Sequence, residues 1–283
     1  MSGKLVICPT PIGNLDDMPP RALAALREAD AVCAEDTRVT GKLLSAFGLK
    51  KRLERLDENL MGAHAGAIVE RVRGGQVIAY CSDAGMPGVS DPGQRLVDAA
   101  LDAGVQVEVI PGPTAVATAY VASGFTCPRF YFAGFFPRKA GERAQALEVA
   151  ATLDAVTLFY ESPHRIADAL AAVAQRLPHR RVAVCRELTK LHEETVRGLA
   201  GEVAAEFAAR EADSGVKGEI VLVVDAPGDD ERGQRAQEAA QSAAGRAAEL
   251  LAAGAMSRKD IVRVLRDEFG ISRNEAYELV HGA

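Results

Sequence analysis

Short apolar runs recur along this chain, and each gives way to a loop, Gly/Pro-rich after three of them, and then a helical pattern. "KLVIC" (4–8) precedes "MPPRALAALREA" (18–29), where Pro19 and Pro20 suit a first helical turn and Leu23 and Leu26 mark an apolar stripe. "DAVCA" (30–34) precedes "TRVTGKLLSAFG" (37–48), closed by Gly48. "QVIAYC" (76–81) runs into "SDAGMPGVSDPG" (82–93) and then a helix to 104, and "VQVEVI" (105–110) precedes "PGPTAVATAYVASG" (111–124). Strands that alternate with helices need long crossovers, so this rhythm predicts layered α/β architecture on a mainly parallel sheet.

A second set follows. "RFYFAGFF" (129–136) leads to a helix over 141–152, and "AVTLFYE" (155–161) to a helix over 164–177. "RVAVCREL" (181–188) and "EIVLVVDA" (219–226) are further strands. The boundary between two α/β domains falls near 111–125 and is drawn as 1–115 and 116–226. Residues 227–249 lack large apolar groups over most of their length and read as a linker or frayed helix. In 250–283, Ser257 with Asp260 and Ser272 with Glu275 have the spacing of capping boxes, and Gly270 separates two helices. Such a helical appendage is either a nucleic-acid module or plain packing.

Composition narrows the function classes. Hydrophobic residues at 48% and charged residues at 25% supply a packed core. No secretory signal opens the chain and no uncharged stretch is free of Gly and Pro for long enough to span a membrane, so a cytoplasmic protein is expected. The five cysteines stand apart without a C-x-x-C pair, as buried thiols in a reducing compartment do. A net charge of −6 argues against a protein that coats nucleic acid, though not against a local basic patch such as "KKRLER" (50–55) or "PRK" (137–139) with Arg143.

The chemistry concentrates at strand ends. Gly/Pro loops follow three strands: "PTPIGN" (9–14), "SDAGMPGVSDPG" and "PGPTA" (111–115). Ligands bind beyond the carboxyl ends of strands in open α/β sheets, and glycine lets them approach backbone closely. One such loop is only a tight turn; three point to a small-molecule site. No G-x-G-x-x-G opens a helix, and no G-x-x-x-x-G-K-[ST] or G-x-S-x-G occurs. His64, His164, His179, His192 and His281 are scattered, so no metal is expected. Polar clusters stand at other strand ends: Glu35, Asp36 and Arg38 in "AEDTR", Tyr160, Glu161, His164 and Arg165 in "FYESPHR", and Arg186, Glu187 and Lys190 in "CRELTK". Alone, each is a capped helix start or a surface ion pair, and Asp36 is a natural N-cap. Together they predict one polar cleft. Asp91 either meets the ligand or caps the helix after it.

"PTPIGNLDD", "AEDTR", "SDAGMPGVSDPG", "PGPTA", "FYESPHR", "RELTK" and "GEIVLVV" resemble, in order, the signatures of the bacterial 16S ribosomal RNA cytidine 2′-O-methyltransferases, within the tetrapyrrole (precorrin) methylase superfamily. The match runs from about residue 4 to 226. It departs at Met86–Ser90, where relatives vary after the first glycine, and it is looser in the linker and tail. The resemblance implies two α/β domains with a cofactor cleft between them, a small C-terminal helical appendage, S-adenosylmethionine as cofactor, and a homodimer. It places the cofactor against Pro11, Asp83, Ala84, Gly85, Ser90, Asp91, Thr114, Ala115, Tyr160, Leu188, Gly218, Glu219 and Ile220. It implies 16S ribosomal RNA in the small ribosomal subunit as substrate, with no membrane partner.

A ribose hydroxyl is a poor nucleophile at neutral pH, so methyl transfer to it calls for a base. Glu161, Glu35, Asp36 and His164 are the candidates, with Glu161 favoured because its strand ends at the cleft; a mechanism carried by positioning, with water taking the proton, stands beside them. Arg38, Arg165, Arg186 and Lys190 are expected on phosphates. Phe135, Phe136 and Tyr160 are expected either to stack a base or to pack in the core. A methylase of a tetrapyrrole or other small acceptor, and an assembly factor that only senses the cofactor, are the competing functions.

Overall fold

The computed structural model describes residues 3–282. Residues up to Ala226 form one compact unit and those from Pro227 form another.

The first unit opens with β1 (Lys4–Ile7), a single 3-10 turn (Leu15–Asp17), α1 (Pro20–Glu28), β2 (Ala31–Ala34), α2 (Thr37–Ala46), β3 (Leu53–Arg55), α3 (Glu58–Arg73), β4 (Val77–Cys81), α4 (Gln94–Asp102) and β5 (Gln106–Val109). The strands form a five-stranded sheet in the order β3-β2-β4-β1-β5, and every pairing is parallel. Successive side chains of a strand point to opposite faces. Leu5, Ile7, Ile78 and Tyr80 therefore pack under α3 and α4, while Val6, Cys8, Ala79 and Cys81 pack under α1 and α2. Burial on both faces explains why β1 and β4 read as unbroken apolar runs. Parallel strands also bring their carboxyl ends to one edge, which gathers the loops after β1, β2, β4 and β5.

The chain continues with α5 (Ala115–Ser123), β6 (Phe130–Phe135), α6 (Ala140–Thr152), β7 (Val156–Glu161), α7 (Ile166–Arg176), β8 (Arg181–Arg186), β9 (Glu194–Leu199), α8 (Ala200–Asp213) and β10 (Ile220–Val224). Their sheet runs β6-β7-β10-β8-β9. Here the expectation of a mainly parallel sheet is corrected. Only β6 and β7 are parallel; β10 runs antiparallel to both neighbours, and β8 and β9 form an antiparallel hairpin. The link over 187–193 is too short for a parallel crossover. Residues of α6, α7 and α8 cover one face in a core that includes Phe136, Phe159, Leu170, Phe207 and Leu222. On the other face Val116 and Ala119 of α5 join Leu158, Cys185 and Val223, and Ile12 from the loop after β1 belongs to this same core.

The second unit comprises α9 (Asp229–Ala253), α10 (Arg258–Phe269) and α11 (Arg273–His281), around Ala243, Ala247, Ile261, Leu265, Ala276 and Val280. Most of the expected 227–249 linker is one continuous helix. Ser272 and Glu275 form a reciprocal capping box on α11; at Ser257 only the forward half, Asp260 N–H to Ser257 Oγ, is made. No helix among the described residues is long and apolar enough to cross a membrane.

Candidate active site

The loop 82–93 is tied down at its middle. Thr10 and Gly85 exchange both backbone hydrogen bonds, at 2.9 and 3.1 Å, which joins the loop after β4 to the one after β1. Gly85 sits at φ +80°, and a Cβ there would stand 3.2 Å from Ile12 Cγ2, so the position requires glycine for conformation and for space. The loop 187–190 closes on the same place from the other sheet. Its Glu187 and Thr189 both have positive φ, and Asn14 N–H donates to Thr189 Oγ1 at 3.1 Å.

Between these loops lies a cavity of about 370 Å³. Of the residues expected on a cofactor, Ala84, Gly85, Asp91, Thr114, Ala115, Tyr160, Leu188, Gly218, Glu219 and Ile220 line it, and Glu161 lines it too. Pro11, Asp83 and Ser90 stand in the same loops but outside the lining. Phe135, expected to stack a base or pack in the core, lines it as well, and Ile12, Met86, Val89, Ser162, Pro163, Cys185 and Val221 complete its walls without having been expected there. Cys185 and Val221 pair across β8 and β10 and share a face, a contact that strand alternation carries only once the partner strand is known.

Acidic groups gather about Asp91, which lines the cavity. Asp91 makes no hydrogen bond or ion pair among the described residues, and α4 is capped at Gly93 without a side-chain bond, so Asp91 does not cap that helix. Burial, with Glu35 and Asp83 nearby, pushes its carboxyl up to about 7. Asp83 accepts Asp36 N–H at 3.0 Å and Glu35 accepts Asp83 N–H at 3.3 Å; burial still raises both above the usual carboxylate range. Asp36 does cap α2, accepting Arg38 N–H at 2.8 Å, and the Arg38 guanidinium clasps both of its oxygens. That clasp holds its carboxyl far below the usual range, which makes it a poor base. Glu35, Asp36 and His164 all lie outside the lining.

The surroundings of Glu161, which also lines the cavity, are different. Glu161 is buried at the carboxyl end of β7. Its Oε1 accepts Ser162 N–H at 2.7 Å, while Oε2 has no hydrogen bond and lies 3.2 Å from Arg165 Nη2. Burial raises its carboxyl, against the pull of Arg165, Arg143 and Arg138. Arg165 also donates to Phe136 O at 2.9 Å. The remaining expected phosphate binders face inward ties: Arg186 pairs with Glu194 at 2.5 Å, and Lys190 bridges Glu187 and Glu219 at 2.9 Å each. In the "KKRLER" patch, Arg52 and Arg55 pair with Glu54 and Asp57. Among the described residues no group of His, Cys, Asp and Glu is arranged to hold a metal ion.

Residues 4–204 match the family model for tetrapyrrole (corrin/porphyrin) methylases. The chain belongs to the tetrapyrrole methylase family. It is accordingly a methyltransferase, and its similar relatives carry the name ribosomal RNA small subunit methyltransferase I. That of Halalkalibacterium halodurans is 39% identical, over 99% of this chain and 95% of its own length. That of Neisseria meningitidis is 40% identical over 86% and 82%, and that of Mycobacterium bovis 43% over 79% and 78%. Among solved structures, diphthine synthase has a TM-score of 0.61 at 16% identity, over 78% of this chain and 90% of its own. The methyltransferase CobJ has 0.59 at 20%, over 80% and 100%. At such identities these two likenesses establish the fold of this methylase as the family's two-sheet architecture.

Proposed function

We propose that this methylase transfers a methyl group from S-adenosylmethionine to the ribose 2′-oxygen of a cytidine in the decoding region of 16S ribosomal RNA, on the assembled small subunit, in the cytoplasm and as a homodimer. The names of its relatives support the ribosomal substrate. The exposed Phe130 and Tyr131 on edge strand β6 support a second copy as partner.

The observation that carries the proposal is one cavity lined by two carboxyl groups in unlike surroundings, Asp91 and Glu161. Its size suits a small cofactor, and its walls are apolar with few polar groups. S-adenosylmethionine, when bound, supplies a methyl group on a positively charged sulfur. Asp91 meets the need for a negative group in a pocket that is to take a cation. Glu161 meets the need for a base: it lines the cavity, burial raises its carboxyl, and its Oε2 makes no hydrogen bond and has only Arg165, at 3.2 Å, beside it. It accepts the proton of the ribose hydroxyl as that oxygen becomes the nucleophile.

The test is incorporation of labelled methyl into 30S subunits from a strain lacking the enzyme, with cofactor affinity measured by calorimetry. Incorporation at one cytidine ribose is expected. Cofactor binding without incorporation would overturn the substrate, and no cofactor binding would overturn the whole proposal. Glu161→Gln is expected to lower the transfer rate by about 10²–10⁴-fold at unchanged cofactor affinity. In the wild type the rate rises with pH through a carboxyl displaced upward by burial, and the variant loses that rise.

A further inference from the structure

Strand β6 carries one residue too many for its partner. Phe132 stands opposite Leu158 and Phe135 opposite Tyr160, three steps against two. The extra residue is accommodated at Gly134, whose φ is +74° with open space where a Cβ would stand, so glycine serves the conformation there. The consequence is a change of face. In a regular strand, Phe135 would point opposite to Phe132, into the core under α6 and α7. The bulge returns it to the side of Phe132 and Tyr160, at the mouth of the cavity, and sends Phe136 into the core instead. Phe135 is 61% exposed and Phe136 1%.

The exposed ring is held in place. Tyr160 braces it edge to face, with centroids 5.5 Å apart, and Phe132 braces Tyr160 at 4.8 Å. Phe136 N–H donates to Tyr160 O, and the Arg165 guanidinium ties down the Phe136 carbonyl. The chain just beyond it, and the surroundings of Glu161, are basic. Arg138 is exposed and makes no ion pair among the described residues, Arg143 is half-buried over the Phe136 ring, and Lys139 lies beside them in a surface pair with Glu142. Arg138, Arg143 and Arg165 all lie near enough to Glu161 to act on its charge.

A lone exposed phenylalanine is ordinary. One turned outward by a bulge, braced by aromatic neighbours and set at the mouth of a cavity whose Glu161 feels three arginines is a stacking surface for a polyanion. We propose that Phe135 is the platform on which the base of the acceptor nucleotide stacks, splayed out of the RNA, while Arg138 and Arg143 take the flanking phosphates. Every base has a π-face, so the platform holds the nucleotide without reading its identity. Arg165 is a positioning residue that fixes the backbone behind the ring. The inference rests on the methyl-transfer function proposed above.

The test compares Phe135→Ala, Phe135→Leu and Phe135→Trp with the wild type in methyl transfer to 30S subunits, in affinity for a short labelled single-stranded RNA, and in calorimetry with S-adenosylmethionine. The alanine and leucine variants are expected to raise KM for subunits and weaken RNA binding by about 5- to 150-fold, the worth of one base stack. Leucine keeps apolar bulk and loses the π-face, so it groups with alanine, while tryptophan restores wild-type values. Cofactor affinity, although Phe135 borders that cavity, falls by much less than RNA affinity in the alanine and leucine variants. Unchanged RNA affinity and KM in the alanine variant, a leucine variant as good as wild type, or an equal loss of cofactor affinity would each overturn the platform. A wild type that binds RNA but transfers no methyl would overturn the function while leaving the stacking comparison in force.

Discussion

Asp91 faces the cavity with two other carboxylates behind it and no cation opposite, an arrangement that lowers the stability of the free protein. Its folded carboxyl titrates at about 7, against about 3.9 in an unfolded chain. Between those values the native state holds a proton that the unfolded state has given up, so stability is full below the lower value and falls as pH rises through the upper one. Asp91→Asn removes the charge. Without cofactor, the variant is expected to melt higher than the wild type at pH 8 by roughly 2–4 °C, with the gap closing toward pH 5. Thermal melts at the two pH values check this, and a pH-independent gap would contradict it. The same variant is expected to lose affinity for S-adenosylmethionine by about 10- to 100-fold, as for the loss of a carboxylate's attraction for a cation a few ångströms away, and far less for the neutral-sulfur product. The sequence left Asp91 between ligand contact and helix cap because an Asp-Pro-Gly start serves both. Only the Gly93 cap without a side-chain bond decides it. The adjacent Glu35 and Asp36 were equally ambiguous: one turns toward Asp83, the other caps α2 and is clasped by Arg38.

At the scale of elements, the strands and loops that build the cavity were legible because they are extreme in composition: buried strands are apolar throughout, and the loops between them are dense in Gly and Pro. What went unread lies at the edges and in alanine-rich helices. β3 and β9 end their sheets, pair on one side only and carry charges, so Leu53–Arg55 looked like a basic patch. α3 and α8 carry exposed glycines and alanines between their buried residues, which blurs their apolar stripe. The start of β10 shows how an element end builds the site. Gly218 sits at φ +97°, and a Cβ there would stand 2.5 Å from Glu187 Cγ. That side chain cannot simply swing away, because it accepts Glu219 N–H and the Lys190 ammonium at 2.9 Å each. Gly218→Ala is expected to cost about 1–2 kcal/mol from the left-handed backbone alone, and to open the 187–190 loop. A lower midpoint in urea at an unchanged slope, together with weaker cofactor binding, checks it; loss of stability with full cofactor affinity would separate this loop from the site.

At the scale of the whole molecule the two units differ in how they are held. The unit ending at Ala226 has cores on both faces of two sheets. The unit from Pro227 has a single small core of six buried residues, the size at which a fold without disulfide or metal is marginal. Its longest element is also the least anchored. α9 spans 25 residues, yet its buried positions are only Ala243 and Ala247, both in its C-terminal half. Helices draw most of their stability from packing, and an exposed stretch holds together only through its own marginal propensity. The composition that read as a linker or frayed helix therefore reflects a physical property of the segment even though the backbone there is helical. Amide hydrogen exchange on the full chain is expected to be fast over 233–240, close to that of an isolated peptide helix, and markedly slower over 243–253, where Leu250 and Leu251 pack against the core of α10 and α11. Uniform protection along α9 would contradict this and would mean that its first half is covered in solution, either by a second copy of the chain or by the substrate.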